Sequence, residues 1–338
     1  MTSRERLMAT LRGEPVDRPA VNFYEIGGLV VDPDDPDPFN VYNSPSWRPL
    51  LQLAEEATDV IRMGMLQPLV GGAGASEPFY TQAAWEYGGS HFTRTTLDAG
   101  ARPLSQLTRR DPETDTVWVI EPLLKGADDL KRLLELPGAV FEKPPPDIGA
   151  LERLDAGIGE RGIVMVDSAD PLCEAAGLFE MGVFTIVAAT EPALFHRLLE
   201  RLAAPLHRRT EQVAAAFPGH LWRFFGTEYA TEPYLPSALF EEYVVRYTGP
   251  MVDIVRRHGG YARIHSHGRV KNVLPHIAAM GADAIDPLEP PPQGDVLLAD
   301  VRRDYGGGLV LFGNIEISEI ESMPPRAFRR RAEQAVRD

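Results

Sequence analysis

One cysteine, Cys173, stands in 338 residues, so the chain can hold no internal disulfide and no thiolate-rich zinc cluster. That economy suits a reducing compartment. Apolar runs are short as well. None approaches the roughly 20 residues needed to span a bilayer, and the opening Met1-Thr2-Ser3-Arg4-Glu5-Arg6 lacks the apolar stretch of a signal peptide. These absences lead us to expect a soluble cytoplasmic protein. Basic charge is scarce: 34 Lys and Arg face 49 Asp and Glu, a net charge of -15. Such a balance lacks the basic footprint that nucleic-acid binding requires. No Gly-x-Gly-x-x-Gly follows a strand-like segment, so a dinucleotide-binding fold finds no support.

What is present reads as an ordinary globular chain, 44% hydrophobic and 25% charged. Its length fits either two ordinary domains or one large α/β barrel. Thr2 or Ser3 caps a first helix with Leu7, Met8 and Leu11 as its apolar stripe, and Gly13 and Pro15 stop it. Ala20 to Tyr24 reads as a first strand and Asp59 to Met63 as a second. Residues 76–121 differ, with β-rich stretches near Trp85 to Thr96 and Thr116 to Ile120 and turns at Gly88-Gly89 and Asp98-Ala99-Gly100. We read them as an antiparallel excursion from the main scaffold.

From Gly162 onward, short buried strands alternate with amphipathic helices, the signature of a parallel sheet. Strands are expected at Ile163 to Asp167, Leu221 to Thr227, Tyr261 to His265, Ala282 to Asp286 and Leu309 to Phe312. Unit length and total length favour a (β/α)8 TIM-barrel type over an open sheet, in a single domain over residues 1–338. The count reaches seven strands, and the chain ends on a helix where another strand is due. The last β/α unit is therefore expected to be missing.

The densest chemistry lies in Ile264-His265-Ser266-His267-Gly268. Residues two apart on a strand share a face, so both imidazoles converge beyond the strand end. That suits a metal ion or a pair of acid/base groups. In a barrel the site lies at the C-terminal strand ends, which bear Glu25, Asp167, Glu228, His265, His267, Asp286, Glu289 and Glu316. His265, His267 and Glu228 are the candidate ligands for zinc or another divalent metal, and the candidate catalytic groups; Glu289 and Glu316 are reserves. The competing reading gives one ring to a neighbouring strand and the other to substrate. Asp167, Tyr229, Tyr234, Asp286, Glu289 and Glu316 are candidate substrate contacts. Asp286 either orients a histidine or makes an Asp-Pro turn. Asp167 to Pro171 is either a site loop or a set of Asx turns. Arg18 and Arg62 serve an anionic substrate or, more economically, salt bridges, and Cys173 reads as a small buried side chain.

Four segments together carry a resemblance. Arg4-Glu5-Arg6-Leu7 through Arg12-Gly13-Glu14-Pro15-Val16-Asp17-Arg18-Pro19 resembles the opening of uroporphyrinogen decarboxylase-like proteins. So do His265-Ser266-His267-Gly268, Met280-Gly281-Ala282-Asp283-Ala284-Ile285-Asp286-Pro287 and Gly313-Asn314-Ile315-Glu316. The resemblance implies a (β/α)8 barrel. Its members include true decarboxylases, which use no metal, and corrinoid-dependent methyltransferases, which carry zinc on His-x-Cys and a later Cys. His265 matches that His, His267 stands where the Cys would be, and the later Cys would fall beyond Asp338. The decarboxylase hallmarks are missing. Asn22 to Gly28 replaces Arg-Gln-Ala-Gly-Arg, and Arg62-Met63-Gly64 stands where Phe-Ser-Asp is expected. The resemblance therefore implies methyl transfer with a small-molecule substrate and a corrinoid protein as partner. A harder nitrogen/oxygen metal centre would favour an oxygen or nitrogen substrate over a thiol. Tetrapyrrole decarboxylation and a non-catalytic ligand-binding barrel are the alternatives.

Overall fold

The computed structural model describes residues 1–23, 37, 39–40, 42, 44–69, 74–100, 102–112, 114, 116–313 and 315–338. Helix α1 (Ser3–Leu11) opens the chain. Thr2 accepts the Glu5 N–H at 3.1 Å, and Glu5 accepts the Thr2 N–H at 2.8 Å, a reciprocal cap on two N-terminal donors. Leu7 and Leu11 then lie against Ile61, Ile163, Met165 and Leu221, closing the N-terminal end of the main sheet.

After α2 (Arg48–Ala57) comes strand β1 (Val60–Met65) of that sheet. Its other members are β6 (Gly162–Ala169), β7 (Leu221–Phe225), β8 (Tyr261–His265), β9 (Ala284–Asp286) and β10 (Val310–Leu311). All neighbours are parallel, in the order β1-β6-β7-β8-β9-β10. Helices cover the outer face, where Val164, Val166, Trp222, Phe224, Ala262, Ile264 and Ile285 are buried. Chief among them are α7 (Pro192–Ala216) and α8 (Arg246–Arg257), after α3 (Ala127–Glu135), α4 (Ile148–Ile158), α5 (Pro171–Ala176) and α6 (Met181–Thr190). The chain continues through α9 (Leu274–Ala279), α10 (Leu298–Tyr305), α11 (Ile317–Ser322) and α12 (Pro325–Arg337). Strand, covering helix and parallel strand repeat as in a (β/α)8-barrel-type fold. Among the described residues the barrel is not closed, and β1 and β10 are the sheet's ends.

Among the described residues the main sheet has six strands where seven were expected. Ala20 to Phe23 forms no strand; Val21 gives its carbonyl to the Asp59 N–H at 2.7 Å and its own N–H to the Asp59 carboxylate at 2.9 Å. A side chain thus takes the donor a sheet ladder would have used. Tyr24, and with it Glu25, lies outside the described residues. The expected excursion is a separate antiparallel sheet of β2 (Tyr80–Tyr87), β3 (Ser90–Leu97), β4 (Leu104–Arg110) and β5 (Val117–Glu121). Its first hairpin turns on Gly88 and Gly89 at φ 61° and 84°, the left-handed values a two-residue turn demands.

Register explains what lies on the inner face. Side chains alternate, so every second residue of each strand points inward. Met63, Met165, Leu221 and Tyr261 form one row; Asp167, Arg223, Arg263 and Ala284 form the next toward the C-terminal ends. Phe225, His265 and Asp286 form the row above. Along β6, β7, β8 and β9 the interior passes from apolar to charged within two residues. No helix among the described residues is long and apolar enough to cross a membrane.

Candidate active site

His265 is the last residue of β8, and the ordered chain beyond it places His267 beside it. The two rings meet edge to face with centroids 4.6 Å apart. Each is braced by its own carboxylate. His265 Nδ1 lies 2.7 Å from Asp286 Oδ2, at the end of neighbouring β9, and His267 Nδ1 lies 2.8 Å from Glu289 Oε1, three residues further on. Glu289 also accepts the Gly268 N–H. His265 is nearly enclosed, its side chain 12% exposed, whereas His267 is 54% exposed.

The two carboxylates differ in their support. Asp286 is fully buried; burial opposes its charge, yet the Arg263 guanidinium and the His265 ring hold it well below the usual carboxylate range. Glu289 also resists burial and is lowered by the His267 and Gly268 hydrogen bonds. Its hydrogen bond in turn raises His267, against a desolvation cost. Glu316, in the turn before α11, is raised by burial and by the charges of Glu289 and Glu319, while His267 acts in the opposite sense. The structure thus gathers four expected residues, His265, Asp286, His267 and Glu289, into two pairs, with Glu316 within electrostatic reach.

Glu228, Tyr229 and Tyr234 come from the turns after β7. Glu228 accepts the Gly226 N–H at 3.1 Å. Tyr229 packs between Phe184 and Tyr234, with centroids at 5.9 and 5.7 Å, and burial pushes its phenol up to about 12. Asp167 sits one row lower and is closed by a fork from Arg223, Nε at 2.5 Å and Nη2 at 3.0 Å. Burial works against both charges, raising the carboxyl to about 7 and lowering the guanidinium to about 10, so the fork recovers only part of that cost.

Arg223 and Arg263 were missed from sequence. Arg263 is 2% exposed, bonds Asp286 through Nε and lies over Phe312 at 4.1 Å. The available signal was a single cation at an alternate position of an otherwise apolar strand, Leu-Trp-Arg-Phe-Phe and Tyr-Ala-Arg-Ile-His. The Asp167 to Pro171 loop resolves as a cap: fully buried Asp170 accepts the Cys173 N–H at 2.6 Å and the Thr248 hydroxyl at 3.0 Å. Cys173 beside it has its thiol pushed up by burial. Arg18 and Arg62 are both in ion pairs, with Asp59 and Glu55.

The donor set tests the expected metal. Imidazoles held through one nitrogen by a carboxylate suit ligation through the other. The three-ligand set of His265, His267 and Glu228 is nevertheless not assembled: among the described residues no three His, Cys, Asp or Glu side chains stand together as a metal site. What the arrangement offers directly is acid/base chemistry on two neighbouring imidazoles.

The uroporphyrinogen decarboxylase (URO-D) family model matches residues 111–338. No curated protein matches the sequence. Among solved structures, a methyltransferase from Methanosarcina mazei is similar with a TM-score of 0.52, covering 93% of this chain and 83% of its own, at 15% identity. At that identity the likeness speaks for the fold alone. The family match takes in β5 to β10 and both histidine–carboxylate pairs, and on it the chain belongs to the uroporphyrinogen decarboxylase family.

Proposed function

We propose that this chain is an enzyme of the URO-D superfamily that moves a methyl group between a corrinoid carried by a partner protein and a small molecule. The observation that carries the reading is the pair of adjacent imidazoles, each braced at Nδ1 by its own carboxylate. With Nδ1 of His265 committed to Asp286, proton transfer at that ring falls to Nε2. There it takes the proton of an acceptor O–H, N–H or S–H as the heteroatom's electron pair forms the new bond to the methyl carbon. The electron pair of the broken bond leaves with the methyl donor. His267, whose cationic form Glu289 favours, places positive charge beside the anion that develops on the acceptor. Family membership and the fold shared with a methyltransferase support the reading. The reading routes no step through the expected metal, for which no three His, Cys, Asp or Glu side chains stand together among the described residues.

Decarboxylation of a tetrapyrrole polycarboxylate has less physical support. Arg223 and Arg263 are already paired with Asp167 and Asp286, while Glu228, Glu289 and Glu316 would meet the substrate's carboxylates with like charge. The test uses protein purified without a histidine tag, given methylcobalamin and a panel of alcohol, amine and thiol acceptors. Demethylation of the corrinoid is expected, falling on the order of 10²–10⁴-fold in His265→Ala. Conversion of uroporphyrinogen to coproporphyrinogen would overturn the reading. Stoichiometric zinc that disappears in a His265→Ala/His267→Ala variant would return the metal to it.

A further inference from the structure

The charged row inside the sheet is continuous with the site. Arg263 Nε donates to Asp286 Oδ1, and the other oxygen of the same carboxylate meets His265 Nδ1 at 2.7 Å. Arg263 and His265 are two residues apart on β8, so both side chains point inward, and Asp286 is the register partner of His265 on β9. Arg263 is itself held, its Nη1 3.6 Å from Met165 Sδ and its plane over the Phe312 ring at 4.1 Å. The Asp167–Arg223 pair lies alongside in the same row.

We propose that Arg263 is a positioning residue: it keeps Asp286 as the acceptor of the His265 Nδ1 proton and thereby fixes the ring in the tautomer that presents Nε2 to the reaction. The physical argument is the cost of burying a charge. A carboxylate wholly out of water is anionic only where a cation or several donors compensate it. With Arg263 in place Asp286 accepts, and the proton shared by the two groups resides on Nδ1. Without Arg263 the favourable state takes up one proton from solvent: a neutral Asp286 then donates to Nδ1, and the ring's own hydrogen sits on Nε2. That is the wrong end for a base. The role of the tautomer in catalysis rests on the proposed reading of His265; the tautomer itself does not.

The experiment is long-range ¹H–¹⁵N correlation spectroscopy of the full chain labelled with ¹⁵N-histidine at mildly alkaline pH, with the His265 signals assigned by their absence in His265→Gln. In the unmodified protein Nδ1 is expected to carry the proton. In Arg263→Met the Nδ1 signal is expected to move to the position of an unprotonated ring nitrogen. In Arg263→Lys, which keeps the charge, it is expected to stay. An unprotonated Nδ1 in the unmodified protein overturns the proposal, and that measurement needs no variant to fold. So does a proton retained on Nδ1 in Arg263→Met, or lost from it in Arg263→Lys. Because no substrate enters the measurement, failure of methyl transfer and failure of this proposal are read separately.

Discussion

The two ends of the main sheet use the same chemistry to opposite ends. At the N-terminal end Asp59 is fully buried and takes bonds from Arg6, from Arg18 at 2.7 Å and from the Val21 N–H at 2.9 Å, while Arg6 also forks onto Asp17 at 2.7 and 2.8 Å. At the C-terminal end Asp286 is also buried and takes bonds from Arg263 and His265. In the first cluster every named partner is a permanent cation or a backbone donor, so the carboxylate has nothing to exchange and serves only to tie α1 and its following loop to β1. The second ends on an imidazole, the one side chain whose ordinary titration lies near neutrality. Burial makes both pairs obligatory. The last group in the chain of bonds decides whether the result is a fastener or a site.

That contrast can be broken from either side. The largest effect is expected at the imidazole: His265→Ala removes on the order of 10²–10⁴ of methyl-transfer rate, while the protein still unfolds cooperatively because Arg263 continues to compensate Asp286, as checked by steady-state kinetics and melting of the same preparation. Asp59→Ala is expected to do the reverse. It takes one of two carboxylates from buried Arg6, which keeps Asp17, and removes the acceptor of Arg18 and the Val21 N–H. The loss should fall short of the about 3–5 kcal/mol of a wholly unpaired buried charge, read by chemical denaturation, with turnover per folded molecule retained. Equal loss of turnover in the folded fraction would remove the distinction.

Two glycines sharpen the comparison more modestly. Gly259, before β8 at the N-terminal end, has φ 73° and open space around a would-be Cβ. Gly259→Ala should therefore cost only the left-handed penalty, about 1–2 kcal/mol. Gly226, at the start of the turn that carries Glu228, has φ 107°, and a Cβ there would fall 2.0 Å from Cys173 Cβ. Gly226→Ala is expected to cost more than its counterpart and to impair the site as well, since α5 or the turn must move.

The smallest effect is a pH dependence. Glu289 is lowered from 4.5, so its pairing stabilises the fold above about pH 4.5 and is lost as pH falls through its native value. His267 is raised from 6.5, so its share is complete below about pH 6.5 and is lost as pH rises through its native value. The stability gap between the unmodified protein and Glu289→Gln should be widest between these limits and narrow on either side. Half-exposure of His267 keeps it small. A gap that stays constant across pH 4–9 would show that the pair contributes no charge interaction.

Much of this was legible beforehand, and the reasons are local. Tyr261–His265 matches its expected bounds because a short strand-like segment, with Ala262 and Ile264 facing one side, follows turn-forming glycines and ends before another. The antiparallel excursion announced itself through Gly88-Gly89, and the histidines through their spacing. The Arg12 to Pro19 motif was legible as a pattern but not in purpose; only the fold shows Asp17 and Arg18 closing on Arg6 and Asp59.

By itself, then, the sequence determined most of the segments that become strands and helices, Ala20 to Phe23 excepted, that the main sheet's strands run parallel, and that His265 and His267 share a strand end. Those properties follow from side-chain periodicity and turn chemistry, which act over a few residues. Tertiary structure decided the partners. Asp286 lies 21 residues from His265, and Glu289 lies 22 from His267. Arg223 and Asp167 meet from different strands. Pairing across a parallel sheet is set by register, and register is settled only when the strands dock.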